Sequence, residues 1–178
     1  MLKCDNPDKY VTNKISSNPL AWGVSARFDR VIDILNVQQG DIISKSDRFS
    51  LYTGKDVGNT PQKGINWLGQ PPNYLHVMIR CSLQSGYSDR WIDQQQGIFL
   101  YYLMVNNRGL EDSIINYNSL ENMALLDQKE HGSPVLLMID IDKKSDLIEI
   151  QGRFEVITLC HDNPMHPGVD SVLLKRIS

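Results

Sequence analysis

The chain has 178 residues, of which 41% are hydrophobic and 22% charged, and this length and composition favour one globular domain with its own core. Eighteen Lys and Arg residues against 21 Asp and Glu residues give a formal charge of -3, which excludes a protein that holds nucleic acid by overall charge alone. The three cysteines, Cys4, Cys81 and Cys160, are far apart, which disfavours a disulfide framework or a cysteine zinc site and favours a reducing compartment.

The first part of the chain lacks long periodic segments. Residues 1–24 are rich in Asn, Ser, Pro and Lys without an apolar block, so we predict an irregular arm and no signal peptide. Residues 25–178 form the predicted domain. It begins with a short helix over residues 27–37, predicted by the spacing of Phe28, Val31, Ile32 and Leu35. Five glycines between positions 40 and 69 then indicate short strands and loops.

The remainder of the chain is predicted to be mainly sheet. Alternating or continuous apolar runs predict strands over residues 74–81, 98–105, 135–141, 147–150, 154–159 and 172–177. In the first of these, Leu75, Val77 and Ile79 should share one face. A helix is predicted over residues 119–131, with Asn118 as its cap. The fold class is therefore α+β, mainly β, with two helices. Because residues 98–105 are too few to span a bilayer, we expect a soluble, cytoplasmic protein.

Aromatic and acidic side chains concentrate in residues 86–93 and 97–102. If the flanking strands pair, Tyr87 and Tyr101 face each other across a slot with Asp89 or Asp93 at its floor. Such a slot suits a flat heteroaromatic ligand, because stacking a base on an aromatic ring contributes about 1–3 kcal/mol. A carboxylate would also accept a hydrogen bond from the exocyclic amine of cytosine or adenine. The alternative is that the strand aromatics only fill the core and that the Asp-Arg pair is a surface pair.

Between residues 37 and 177, several short motifs follow one another in a recognisable order. They are Gln39-Gly40-Asp41, Lys63-Gly64-Ile65, residues 85–93, residues 97–102, Asn122-Met123-Ala124-Leu125, Gly132-Ser133-Pro134-Val135, residues 151–156 and Leu173-Leu174-Lys175-Arg176. In this order they resemble the SRA (SET- and RING-associated) domain, a reader of modified cytosine found in eukaryotic hemimethylation readers and in bacterial modification-dependent restriction enzymes. The chain departs from the eukaryotic pattern before Gly64, after Tyr102 and at Ile150-Gln151. These departures resemble a divergent bacterial or phage member.

The resemblance implies a twisted, barrel-like SRA/PUA-like sheet whose concave face takes a nucleotide flipped out of duplex DNA. Tyr87 and Tyr101 would sandwich the pyrimidine, and Asp89, or Asp93 as its substitute, would accept from the exocyclic amine. The predicted base pocket consists of Tyr87, Asp89, Trp91, Asp93 and Tyr101. The predicted duplex contacts are Trp67, Arg90, Arg108, Lys143 and Lys144. The expected ligand is a 5-methyl, 5-hydroxymethyl or glucosylated cytosine.

No catalytic residue, metal site or cofactor is predicted. The acid-x-Lys sequence at Asp142-Lys143-Lys144 lies at a hairpin tip, where a charged turn explains it. Cys160, His161 and His166 lack a fourth ligand for a closed metal site. We therefore expect a non-catalytic module, with avidity from a separate nuclease domain or subunit or from a homodimer. Three alternatives stay open: a PUA-like reader of a modified base in RNA, a small nucleotide hydrolase with Asp89 or Asp93 as base, and a structural β-domain.

Overall fold

The protein is described by a computed structural model that covers residues 34–44, 48, 51, 64–83, 88–105, 115–161 and 168–178. Eight strands are found in these residues: β1 (Ile42–Ser44), β2 (Ile65–Gln70), β3 (Asn73–Cys81), β4 (Arg90–Asp93), β5 (Ile98–Tyr102), β6 (Val135–Asp140), β7 (Leu147–Cys160) and β8 (Ser171–Arg176). Two helices, α1 (Leu120–Leu126) and α2 (Gln128–His131), lie between β5 and β6. None of the described helices is long and apolar enough to cross a membrane.

The strands form one mixed sheet in the order β2-β3-β6-β7-β8-β5-β4, with β1 paired to β7. The β3–β6 pair is parallel and the others are antiparallel. Alternation along the strands sends side chains to two cores. The inner core includes Ile65, Val77, Ile79, Phe99, Tyr101, Leu137, Phe154 and Leu174, and the outer core includes Ile43, Met78, Leu136, Met138, Ile148 and Ile150. The predicted α+β, mainly β fold is confirmed.

The sheet curls around the inner core. The hydroxyl of Tyr101 on β5 lies 3.5 Å from the carbonyl oxygen of Arg80 on β3, although β6, β7 and β8 separate these strands in the sheet. A flat sheet would hold the two strands far apart, since neighbouring strands are about 4.8 Å from one another. The contact therefore agrees with the predicted twisted, barrel-like sheet.

The long strand β7 changes partners along its length. Its first half pairs with β1 and β6, and its second half pairs with β8. Phe154 pairs with Val135, the first residue of β6, so no β6 residue pairs with β7 beyond this point. Helix α2 covers the backbone there: the Oε1 atom of Gln128 accepts from the backbone N–H of Val156 at 3.0 Å, and Lys129 donates to the carbonyl oxygen of Ile157 at 3.0 Å. Side chains of α2 thus satisfy backbone groups that no strand reaches there.

Three features of the sheet differ from the sequence prediction. Leu75 is exposed rather than on the face of Val77, because the β2–β3 register shifts between Leu68 and Gly69. The predicted strands over residues 147–150 and 154–159 are one strand, bent at Gly152, where φ is 105° and a Cβ would collide with the carbonyl oxygen of Ser178. Residues 90–93, for which no strand is predicted, form β4.

The helical prediction is also corrected in part. Ser119, not Asn118, caps α1, because its hydroxyl accepts from the backbone N–H of Asn122 at 3.2 Å. The helix predicted over residues 119–131 is divided at Asp127, and it stops at Gly132 with a φ of 71°. The predicted arm, residues 1–24, and most of the helix over residues 27–37 lie outside the described residues.

Candidate functional site

Tyr101 is held in the interior by the pairing of β5. It lies opposite Val172 on β8, and only 4% of its surface is exposed. Its hydroxyl donates to the carbonyl oxygen of Arg80 at 3.5 Å. A Cβ atom at Gly64, just before β2, would lie 2.8 Å from that hydroxyl oxygen, so glycine leaves the room that the tyrosine fills. The Tyr101 ring therefore reaches across the interior from β5 to the end of β3.

Asp89 lies beside Tyr101, just before β4. The β4–β5 ladder pairs Arg90 with Leu100 and Trp91 with Phe99, so its continuation brings Asp89 opposite Tyr101. The Asp89 side chain is buried, and its Oδ1 atom accepts from the backbone N–H of Tyr102 at 2.8 Å. Asp89 therefore brings a carboxyl group, and with it hydrogen-bond acceptor capacity, to the interior beside Tyr101.

The environment of Asp89 disfavours negative charge. Burial raises the pKa of this carboxyl from its ordinary value of 3.8 to about 7, against the opposing effect of the Tyr102 N–H bond. Burial also raises the pKa of the nearby Cys81 thiol far above its usual range, and the charges of Asp89 and Asp140 add to this effect. Near neutral pH, Asp89 is present in both protonation states, and in each it retains acceptor capacity.

The other predicted pocket residues are placed differently. Asp93 is exposed at the β4–β5 turn, where its Oδ1 atom accepts from the backbone N–H of Gln96 at 2.9 Å. Trp91 is half-buried, with its ring edge-on to Phe99 at 5.0 Å and beneath the Arg176 guanidinium at 5.1 Å. The structure thus brings Asp89, rather than Asp93, to Tyr101. Tyr87 lies outside the described residues.

The predicted duplex contacts occupy several surfaces. Lys143 and Lys144 are exposed on the β6–β7 hairpin. The hairpin turn is held by the Oδ1 atom of Asp142, which accepts from the backbone N–H of Lys144 at 2.7 Å, so the acid-x-Lys sequence forms a charged turn. Trp67 is half-buried and edge-on to Tyr74, with 5.8 Å between ring centroids, which gives it a packing role.

Two further duplex contacts were predicted. Arg90 is half-buried and donates to the carbonyl oxygen of Ser88 at 3.1 Å. Arg108 lies outside the described residues. Among the residues that the structure describes, no three His, Cys, Asp or Glu side chains are close enough to hold a metal ion.

A polar cluster that the sequence did not predict lies at the start of β8. The carboxylate of Asp170 is buried, and one of its oxygens, Oδ2, accepts from the hydroxyl of Tyr117 and lies 2.8 Å from Nδ1 of His161. These three residues are called the Asp170 cluster below. Their separation in sequence hides the cluster, which appears only when the β7–β8 register is known.

Asn122 belongs to one of the sequence motifs, and the structure shows what it does. Its side chain is fully buried and joins the end of β5 to the segment before α1: it accepts from the backbone N–H of Met104 at 2.9 Å and donates to the carbonyl oxygens of Met104 and Asn116 at 2.9 and 3.0 Å. Asn122 therefore holds the backbone after β5 against the backbone before α1.

No protein-family model and no curated protein matches the sequence. Solved structures do show a similar fold. The SUVH5 SRA domain bound to fully hydroxymethylated CG DNA is 20% identical with a TM-score of 0.59, and the alignment covers 83% of this chain and 93% of that chain. KRYPTONITE, in complex with mCHH DNA, H3(1-15) peptide and SAH, gives a TM-score of 0.61 at 14% identity over 93% of this chain and 36% of its own. The DNA recognition domain of the cytosine modification-dependent restriction endonuclease LpnPI gives a TM-score of 0.54 at 13% identity. The alignment covers 78% of this chain and 72% of that chain.

Proposed function

The chain has an SRA-like fold, and from this premise we propose that it is a DNA-binding module that takes a modified cytosine, flipped out of duplex DNA, against Tyr101 and Asp89. The observation that carries the proposal is the position of Asp89 beside Tyr101. A buried carboxyl lies opposite an aromatic ring on the inner face of a curled sheet. Structures of similar fold were solved with methylated and hydroxymethylated CG DNA, which supports the same class of ligand here.

The pair suits cytosine in particular. An extruded cytosine presents an amine donor at N4, whereas thymine presents a carbonyl acceptor at the same position. The Oδ2 atom of Asp89 would accept from that amine while the Tyr101 ring stacks on the base. Tyr87 is proposed as the second stacking face, and a substituent at C5 would be selected by the space around it. Stacking contributes about 1–3 kcal/mol per base and offsets the few kcal/mol that unstacking costs.

Base entry requires the interior to open. Tyr101 is only 4% exposed, so its ring becomes available to a base only when the site rearranges. We therefore expect association with the modified duplex to be slower than the orientation-limited range of about 10⁵–10⁷ M⁻¹s⁻¹.

Affinity for the duplex should be modest. The formal charge is -3, so the chain as a whole does not attract the phosphate backbone. Exposed cations that could contact phosphates include Lys143 and Lys144 on the β6–β7 hairpin. We propose these lysines, with Arg90 and Arg108, as backbone contacts. A nuclease domain or subunit, or a second copy of the chain, would supply avidity in a modification-dependent restriction system of bacterial or phage type.

The test is a competition binding assay at low salt with one duplex that carries cytosine, 5-methylcytosine, 5-hydroxymethylcytosine or glucosylated hydroxymethylcytosine. We expect preference for a modified duplex and a fluorescence rise from 2-aminopurine placed beside the target base. Tyr101→Leu should lose the preference, whereas the matched control Tyr101→Phe, which keeps the ring, should retain it. Thermal unfolding of both variants checks that they fold.

Several outcomes would refute the proposal. Equal affinity for all four duplexes, or full preference in Tyr101→Leu, would remove the base-stacking role. Tighter binding of single-stranded RNA would favour the PUA-like alternative, because the ribose hydroxyl is the feature that distinguishes RNA. Turnover of a modified nucleotide, lost in Asp89→Asn, would favour the hydrolase.

A further inference from the structure

The Asp170 cluster lies next to Tyr101 on the inner face of the sheet. Tyr101 pairs with Val172, and the hydrogen bond from the backbone N–H of Leu103 to the carbonyl oxygen of Asp170, 3.0 Å long, continues this ladder by one residue. Val172 and Asp170 are two residues apart, so their side chains leave the same face. Asp170 is thus a diagonal neighbour of Tyr101, and such neighbours are about 7–8 Å apart.

A buried carboxylate holds two exposed side chains there. The last β7–β8 pair is Cys160 with Ser171, so His161 lies opposite Asp170, and its Nδ1 atom is 2.8 Å from Oδ2. Tyr117 donates its hydroxyl to the same oxygen. Only 6% of Asp170 is exposed, compared with 44% of Tyr117 and 62% of the His161 side chain. The cluster therefore presents fixed side chains to solvent beside the proposed base site.

The positions of the hydrogen atoms in the Asp170 cluster follow from the chemistry of its acceptor, the carboxylate of Asp170. An ionised carboxylate only accepts, so the Nδ1 atom of His161 carries a hydrogen, and the hydrogen bond to Asp170 raises the pKa of Tyr117 and keeps its hydroxyl protonated. The other ring nitrogen of His161, Nε2, has no partner among the described residues, and 62% of the side chain is exposed, so Nε2 is the atom that we assign to a ligand. In the neutral ring Nε2 is an acceptor and the cluster carries one negative charge. In the protonated ring Nε2 is a donor and the charges of His161 and Asp170 cancel.

From this arrangement we propose that the Asp170 cluster binds a phosphate of the DNA strand whose base is flipped against Tyr101, with protonated His161 donating from Nε2 to a phosphate oxygen. The proposal rests on the proposed function, which brings that strand to this edge of the sheet. Asp170 is a positioning residue, because it orients the ring and cancels its charge. The titratable groups around His161 in the described chain are Cys160 on β7, Asp170 beside β8 and Tyr117 before α1. Asp162 and His166 lie outside the described residues.

The test measures affinity for the preferred modified duplex as a function of salt at about pH 6 and about pH 8, the range in which histidine changes charge. One added phosphate contact steepens the slope of log affinity against log salt by about 0.9. The wild type should show this steeper slope at the lower pH. His161→Gln and Asp170→Asn should lose this difference in slope yet keep the preference for modified cytosine.

Controls separate this proposal from the function on which it rests. His76→Gln removes another histidine and should leave the pH effect intact. The NMR signal of the His161 ring should move on addition of the duplex in the wild type and in Tyr117→Phe. If the wild type prefers modified duplex but His161→Gln retains its pH-dependent slope, the phosphate contact is refuted and the proposed function stands. If the wild type shows no preference for any duplex, both are refuted.

Discussion

Substitution of Asp89 by Asn tests the electrostatic character of the site without changing its shape. Asparagine keeps an oxygen that can accept from the backbone N–H of Tyr102, but it cannot titrate. In the wild type, burial raises the pKa of Asp89 from 3.8 to about 7, so the folded state retains a proton that the unfolded state releases. This contribution to stability is fully present below pH 3.8 and is lost as the pH rises through about 7.

The size of this stability change follows from the thermodynamic linkage between proton binding and folding. Between the two pKa values the free energy of unfolding falls by about 1.36 kcal/mol for each pH unit, which gives about 4 kcal/mol at most across the window. Asp89→Asn lacks this loss, so its stability relative to the wild type should increase as the pH rises from about 4 to about 8. Measured gains of half the maximum would be in keeping with relaxation of the buried site.

Urea unfolding of the wild type and variant in half-unit pH steps provides the measurement. Asp93→Asn is the matched control, because it makes the same chemical change at a carboxyl that is exposed at the β4–β5 turn rather than buried. A flat difference for Asp89→Asn, or one that grows towards low pH, would refute the reasoning. The same variant should lose preference for modified cytosine, because its amide can turn a donor towards the cytosine amine. Gain of stability with loss of binding would identify Asp89 as a functional residue kept at a cost to the fold.

Three other variants test separate parts of the structure. Gly64→Ala brings a Cβ to 2.8 Å from the Tyr101 hydroxyl and should cost about 1–3 kcal/mol in thermal unfolding and weaken the base preference; wild-type behaviour would contradict the tight approach. Asn122→Ala leaves buried backbone groups unpaired and should lower the free energy of unfolding in urea by roughly 3 kcal/mol, and a loss below about 1 kcal/mol would argue against its joining role. The double variant Lys143→Glu with Lys144→Glu should fold normally and bind all duplexes more weakly, with a shallower salt slope by about 0.9 for each lost contact; unchanged affinity would exclude that hairpin from the interface.

Strands with strong alternation were predictable from the sequence, and those shaped by irregular backbone were not. Val77 and Ile79 lie in the inner core as expected. The bulge in the β2–β3 pair turns Leu75 outwards, and the local sequence pattern does not predict this bulge. Likewise, Gly152 has the sequence features of a strand end, yet here it bends a continuous β7. Strand β4 was missed because four residues that include Arg90 and Asp93 carry too little periodicity.

The site was predictable only as a set of candidates. The sequence could not choose between Asp89 and Asp93, because the choice depends on the register of the β4–β5 pair, in which Arg90 lies opposite Leu100. The Asp170 cluster was beyond reach, since it joins residues up to 53 positions apart in sequence. Colinear motifs did indicate the SRA-like fold, because short motifs in a fixed order constrain topology more than any one of them does.

The two side chains of α2 that cover β7 also bear on how copies of the protein behave together. Val156 and Ile157 lie beyond the part of β7 that pairs with β6. Without a cover, backbone groups of this kind can pair with a strand from another molecule. Gln128 and Lys129 occupy those backbone groups, and the lysine adds a charge that a pairing strand would have to bury. We therefore expect helix α2 to protect the protein against aggregation. Substitutions of Gln128 or Lys129 should increase aggregation at high protein concentration without a change in affinity for any ligand.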